Sequence, residues 1–289
     1  MTNAPAVSLD PRVNAFRPDL ADSTLSALVK AERYVEPKLR QSQRGVTPLL
    51  ATPDKSAQQV SQIRYGEFVD VFETNKDGYV WAQNRTDRYV GYLPPTHTFN
   101  ENISDLATRV NVPRTFLYPE PTIKSPPLDE LTLGSFVTIE AEEKDFFRLT
   151  AGGYVFARHV STAASMLTPD YVFTAGRLLN TPYLWGGRTP KGLDCSGLVQ
   201  LVLEMAGIDC PRDSDQQRET FGKPLPRHWR DMPWQRGDLV FFAGHVGIMT
   251  SPDHIIHASG HHMYVTVEPL AEAIMARGLE VTAGGNPAT

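Results

Sequence analysis

Apolar positions recur along the chain with two different periods. Leu198, Leu201, Val202 and Met205 fall at i, i+3, i+4 and i+7, the spacing of one helix face, and Gly207 is a natural stop. A helix with one buried stripe is therefore predicted from Cys195 to Gly207. Residues 46–93 show short strand-like runs instead: Val46 to Leu50, Phe68 to Phe72, Tyr79 to Ala82 and Tyr89 to Leu93, with Asp77-Gly78 as a tight-turn signal. The pattern returns over residues 114–160. Tyr65-Gly66-Glu67-Phe68-Val69-Asp70-Val71 can be laid on Leu133-Gly134-Ser135-Phe136-Val137-Thr138-Ile139, and the second copy ends in Gly153-Tyr154-Val155-Phe156-Ala157. Two copies of a strand-and-turn unit of roughly 50 residues predict two small β-barrels.

The flanking segments read differently. Residues 1 to 20 are Pro-rich and weakly patterned, which suggests an extended arm. Asp22-Ser23-Thr24 offers cap residues for a short helix to Val35, followed by a polar linker over residues 38–45. Thr168-Pro169 has the cap-then-proline form of a helix start, and that helix is expected to run to Leu179. Pro211 to Ser214 reads as a polar loop. Strands are expected at 239–242, 245–249, 254–258, 263–267 and 279–282, with a short helix over 270–276. Helices followed by a meander of strands make an α+β domain. The expected organisation is an arm with its helix (1–42), two barrels (43–100 and 101–163) and an α+β domain (164–289).

Composition narrows the function classes. Hydrophobic content of 41% and charged content of 21% are ordinary for a globular protein. A net charge of −5 argues against a nucleic-acid partner held by phosphate neutralisation. No apolar run reaches the ~18 residues of a membrane span. Met1 to Pro18 carries neither a basic n-region nor an apolar h-region, so no signal peptide is expected and a cytoplasmic location is favoured. Two cysteines, Cys195 and Cys210, make no disulfide framework.

The candidate chemistry centres on Cys195. A thiol in the first turn of a helix lies near unpaired backbone N–H groups, which should lower its pKa and favour the nucleophilic thiolate. Such a nucleophile needs a base, and the base needs a third group to fix its ring. His245 and His257, twelve residues apart across a turn at Ser251-Pro252-Asp253, fall on neighbouring strands of a hairpin. His245 is the candidate base and His257 sets its tautomer. The plain alternatives are a cysteine acting as a small core hydrophobe and histidines that merely pack. A metal site lacks any close ligand pair, so no metal or organic cofactor is expected. Asp194 should oppose thiolate formation; it suits a substrate ammonium or a helix N-cap, and both roles are compatible. Cys210, after the helix, reads as structural.

Five separated motifs, taken in order, resemble the NlpC-type family of papain-like bacterial cell-wall cysteine peptidases. They are Thr181-Pro182-Tyr183-Leu184-Trp185-Gly186-Gly187, Leu193-Asp194-Cys195-Ser196-Gly197-Leu198, Pro211-Arg212-Asp213-Ser214-Asp215-Gln216-Gln217, Arg236-Gly237-Asp238-Leu239-Val240-Phe241-Phe242, and the pair His245-Val246-Gly247-Ile248 with Ile256-His257-Ala258-Ser259-Gly260. The two barrels resemble bacterial SH3-like domains. Together they resemble the subgroup that removes L-Ala-γ-D-Glu from murein peptides with a free N-terminal L-alanine, cutting before the diamino acid. The resemblance implies Cys195 as nucleophile, His245 as base, His257 as orienting residue, and Tyr183 with the Cys195 N–H as oxyanion donors. It further implies Asp194, Ser196, Ser214 and Arg212 at the substrate pocket, with Arg212 equally open to a structural ion pair. Glu67 and Tyr89 of the first barrel would meet the substrate amine; a solvated Glu67 and a packing Tyr89 are the plain alternatives. Other readings are a secreted wall endopeptidase, a silent wall-binding module, and an acyltransferase on the same frame. A silent module would lack a reactive cysteine, and an acyltransferase would resolve its thioester with an amine.

Overall fold

The computed structural model describes residues 9–100, 108–162, 168–225, 233–278 and 280–288. The expected boundaries near 101 and 164, the first eight residues of the arm, and Leu279 lie outside these residues. The chain divides into two compact units, Met1–Ile103 and Ser104–Thr289.

In the first unit, six strands form one sheet in the order Lys38–Gln41, Phe68–Thr74, Val80–Asn84, Val90–Leu93, Val46–Leu50 and Gln59–Arg64, antiparallel throughout. Leu49, Ile63, Val69, Val80, Ala82, Tyr89 and Leu93 pack as its core. Three expectations change. The segment expected as a linker supplies the edge strand Lys38–Gln41. The helix expected to reach Val35 is one 3₁₀ turn, Ser23–Leu25, capped by Asp22, and Arg33–Val35 is a strand parallel to Leu20–Asp22. Leu28, on the face that helix would have to bury, is 60% exposed, and a short helix without a fully buried face is not stable. The described part of the arm, expected to be extended, packs on the first unit instead. Ala15 and Leu20 are buried with Phe72 and Trp81, and the Arg17 guanidinium lies 4.3 Å from the Trp81 ring centre.

The second unit opens with a further strand group built as three small sheets: Thr108–Val110 between Phe136–Val137 and Val160–Thr162, Arg114–Leu117 with Asp129–Thr132, and Ile139–Glu143, Phe146–Leu149 and Tyr154–Phe156. It repeats local geometry of the first unit. Gly66 and Gly134 have φ of 78° and 81°. Their N–H groups donate to the Ser42 and Val110 carbonyls, and the N–H groups of Ser42 and Val110 donate back to the Glu67 and Ser135 carbonyls. Thr47 Oγ1 meets His97 Nδ1 at 2.8 Å, and Thr115 Oγ1 meets His159 Nδ1 at 2.8 Å. The repetition is one of backbone geometry as well as sequence.

Beyond this group, α1 (Tyr171–Gly176), α2 (Cys195–Met205) and α3 (Ser214–Phe221) precede a five-stranded antiparallel sheet. Its strands are β1 (Leu239–Phe242), β2 (His245–Met249), β3 (His254–Ser259), β4 (Tyr264–Pro269) and β5 (Val281–Gly285), in the order β4-β3-β2-β1-β5. Helix α4 (Leu270–Arg277) joins β4 to β5. Helix α1 is shorter than expected and starts one residue after Asp170, whose carboxylate accepts the Phe173 N–H at 2.8 Å; Thr168 is not its cap. Helix α3 begins at the last residue of the expected loop and occupies the stretch after it, where no element was expected. Its sequence is polar and only Gln217 is buried, so no apolar period announces it. The single stripe expected on α2 is too narrow: every residue but Glu204 is buried. The sheet covers one side, with α1 and the hairpin of Arg188–Thr189 and Gly192–Leu193 also packed on the helix.

Candidate active site

Helix α2 sets the candidate nucleophile, Cys195. Asp194 is its N-cap, with Oδ1 accepting the Gly197 N–H at 2.7 Å and Oδ2 the Gly186 N–H at 2.9 Å. This satisfies part of the unpaired N-terminal donor set. Residue 197 must be glycine, because a Cβ there would collide with the Gly187 carbonyl oxygen. Arg212 then closes a fork on the same carboxylate, Nη1 to Oδ1 at 3.0 Å and Nη2 to Oδ2 at 2.7 Å. The Ser196 hydroxyl accepts from Arg212 Nη1 at 3.0 Å and donates to Asp194 at 3.3 Å. Gln217 of α3, buried, donates to the carbonyls of Ser196 and Pro211 at 3.0 and 2.8 Å.

Cys195 follows directly and is buried in the core cluster. The expected fall in its pKa does not occur. Burial, then the charge of Asp194, push the thiol up to about 11, outweighing the N–H groups of Val246 and Ser196 and the charge of Arg212. The dipole is present, but desolvation of a thiolate in this core is the larger effect. The thiol is therefore protonated at neutral pH, and an attack on a carbonyl requires a base to take its proton.

The Val246 N–H that reaches the sulfur belongs to β2, next to His245. His245 Nε2 lies 2.8 Å from His257 Nδ1, with the rings 72° apart and both side chains buried. The register makes this contact. Ile248 pairs with Ile256, so Gly247 lies opposite His257 and His245 sits diagonally on the same face. A Cβ on Gly247 would come within 2.5 Å of Ile255 Cδ1 and 3.1 Å of His257 Cβ. Among the described residues, no group of three or more His, Cys, Asp or Glu side chains is arranged to hold a metal ion.

The other sequence candidates fall as follows. Tyr183 bridges Leu193, two residues before the nucleophile, and its N–H donates to the Met263 carbonyl at 2.8 Å. Ser214 is the first residue of α3. Of the roles open to Asp194, the cap is filled and its charge is balanced by Arg212; the ion pair open to Arg212 is made. Cys210 lies beyond α2, and its carbonyl accepts the Gln200 amide at 3.2 Å. In the first unit Glu67 is not a solvated surface group. It is fully buried, with Oε1 2.7 Å from Arg64 Nη2 and Oε2 2.7 Å from the Arg64 N–H. Ser135, its counterpart, accepts the Thr132 N–H in the same way at 3.2 Å. Tyr89 packs into the core of the first unit.

Sequence reasoning missed Gln217, the partnership of Arg212 with Ser196, and Glu268. Glu268 Oε1 lies 2.6 Å from His257 Nε2. Counting the β3–β4 hairpin outward from its turn finds it: His257 pairs with Thr266, so Glu268 is the diagonal neighbour on that face.

With this geometry in place, residues 180–281 match the model of the NlpC/P60 family. That segment is an NlpC/P60 domain. Residues 49–97 match the bacterial dipeptidyl-peptidase SH3 domain, and the first unit accordingly carries an SH3 domain. The chain is 29% identical over 245 residues to dipeptidyl-peptidase 6 of Lysinibacillus sphaericus, covering 78% of this chain and 89% of that protein. It is 29% identical over 199 residues to the gamma-D-glutamyl-L-lysine dipeptidyl-peptidase of Bacillus subtilis, covering 64% of this chain and 62% of that one. A crystal structure of an NlpC/P60 family protein from Bacillus cereus superposes with a TM-score of 0.72 at 20% identity, over 87% of this chain and all of that one, which establishes the fold. The NlpC/P60 domain makes the protein a cysteine peptidase. No helix among the described residues is long and apolar enough to cross a membrane.

Proposed function

We propose that the protein hydrolyses the γ-D-glutamyl–diamino acid bond of murein peptides that carry a free N-terminal L-alanine, releasing L-Ala-γ-D-Glu. The observation that carries this reading is the His245–His257 pair, 2.8 Å apart on the sheet that also supplies the Val246 N–H to the Cys195 sulfur. The name of the Bacillus subtilis relative supplies the bond. His245 takes the thiol proton as sulfur attacks the γ-glutamyl carbonyl carbon. The oxyanion accepts from the Cys195 N–H and the Tyr183 hydroxyl, a kind of donor worth ~3 kcal/mol each. His245 passes the proton to the departing amine of the diamino acid, leaving a thioester. Water, deprotonated by His245, hydrolyses that thioester and returns the thiol.

In this reading Asp194, Ser196, Arg212 and Ser214 border the pocket, the first three as one hydrogen-bonded unit that fixes the start of α2. Glu67, closed on Arg64, and Tyr89, packed in the core of the first unit, serve the stability of that unit. The second strand group is a further SH3-like unit, and its repeated glycine turn and Thr–His contact support that. The substrate would be an internalised wall fragment met in the cytoplasm, where free thiols at Cys195 and Cys210 persist.

The test is mass spectrometry of products from L-Ala-γ-D-Glu-L-Lys, its diaminopimelate analogue, and N-acetylated forms of both. Release of the dipeptide from free-amine substrates alone supports the reading; equal cleavage of acetylated peptides refutes the amine requirement. Cys195→Ala should abolish cleavage and leave the fold intact.

A further inference from the structure

The line of rings behind Cys195 continues past His257. Glu268 of β4 places Oε1 2.6 Å from His257 Nε2, and its Oε2 lies 3.1 Å from His262 Nε2, in the turn between β3 and β4. We propose that Glu268 is a positioning residue for the reaction: acting through His257, it fixes which nitrogen of His245 carries the lone pair. The proposal rests on Cys195 and His245 as nucleophile and base, and on no particular substrate bond.

Hydrogen-bond polarity carries the inference. An ionised carboxylate only accepts. Burial raises the Glu268 carboxyl, but its contacts with His262 and His257 outweigh that and leave the group below its ordinary value, ionised even where both imidazoles are neutral. His257 Nε2 must therefore be the donor. A neutral imidazole has one N–H, so His257 Nδ1 is an acceptor. The atom 2.8 Å from it, His245 Nε2, must then carry a proton, which leaves the lone pair on His245 Nδ1. With the opposite polarity, Nδ1 of His245 would be an N–H and unable to take the thiol proton. Glu268 thus selects the competent tautomer from two rings away.

Its charge has a second effect. When His245 becomes an imidazolium, the anion behind His257 stabilises it. No proton runs along the chain: the one taken from sulfur stays on His245 until the leaving amine receives it. The groups acting on Glu268 are His257 from β3 and His262 from the turn, with His262 flanked by the rings of His261 at 4.9 Å and Tyr264 at 5.9 Å. Helix α4 also packs on β4 but gives Glu268 no hydrogen bond or ion pair among the described residues.

The experiment compares wild type, Glu268→Gln and Glu268→Ala by imidazole ¹⁵N–¹H spectra, which need no substrate, and by the pH profile of kcat/KM on L-Ala-γ-D-Glu-L-Lys. Wild type should show both His245 and His257 protonated at Nε2. Glu268→Ala should lose that uniform tautomer and about 10–100-fold in kcat, the usual cost of removing a group that orients a functional imidazole, with KM little changed. Glu268→Gln keeps an acceptor oxygen but no charge; it should recover part of kcat while the acid limb moves to lower pH. An Nδ1-protonated His257 in wild type overturns the proposal. So do variants whose tautomers and acid limb match wild type. Should wild type leave the peptide uncut, the spectra still decide the role of Glu268, and only the substrate proposal falls.

Discussion

Replacing Arg212 with methionine tests the anchoring of α2. Arg212 is 1% exposed and Asp194 8%, so the substitution leaves a carboxylate in the protein interior without its counter-ion. Two charge-assisted bonds, at 3.0 and 2.7 Å, are lost, while those from the N–H groups of Gly186 and Gly197 remain. At about 1.5–3 kcal/mol for each bond to a charged group, the expected cost is about 3–5 kcal/mol, the range for breaking a buried pair from one side. Urea unfolding of Arg212→Met, Asp194→Asn and the double variant measures it. The double variant should be more stable than the sum of its parts implies, by about 2 kcal/mol, because neutralising residue 194 removes the stranded charge. The thiol supplies an independent readout. Asp194 raises the Cys195 pKa and Arg212 lowers it, so Arg212→Met should move the titration upward and Asp194→Asn downward. Additive stabilities within about 0.5 kcal/mol, or thiol shifts of the same sign, would refute the coupling.

Further measurements probe the remaining features. In a Cys210→Ser background, iodoacetamide alkylation of Cys195 should climb through pH 9 toward about 11; a plateau near neutrality would mean a preformed thiolate–imidazolium pair. Burial, helped by the charge of Arg44, lowers His97 to about 4. Its contribution is therefore complete above its unfolded pKa near 6.5 and is lost as pH falls to about 4. That amounts to about 3 kcal/mol, and His97→Gln should flatten the acid side of the first unit's stability curve. Gly247→Val forces a side chain between Ile255 and His257. It should cost at least about 1 kcal/mol of stability by overpacking and most of the hydrolysis; wild-type turnover would show that the ring contact does not need this gap.

Much of the site is visible in the sequence because it rides on strongly patterned elements. The apolar repeat of α2 and the largely apolar runs of β1 to β3 fix where Cys195, His245 and His257 fall, and the hairpin between the two histidines places them on adjacent strands. What escapes is set by contacts with no sequence period. Helix α3 is polar and held by Gln217 reaching back to two carbonyls. The Asp194–Arg212 fork joins residues from different loops. The thiol pKa depends on how deep the sulfur sits, whereas its position in a first turn is all that spacing reveals. Near the N-terminus the cap at Asp22 was legible, but it starts a single 3₁₀ turn, since nothing there offers Leu28 a surface to cover.

Glu204, the only residue of α2 that is not fully buried, reaches away from the sheet to Arg109 at 3.0 Å and Arg188 at 3.5 Å. Arg109 comes from the strand group that opens the second unit, and Leu133 from that group is part of the cluster around Cys195. The peptidase portion therefore borrows a wall from its predecessor in the chain. A fragment cut at the family boundary would bare the back of α2 and leave Glu204 with Arg188 as its one remaining partner of the two, so the smallest piece expected to behave as an autonomous enzyme begins near residue 108.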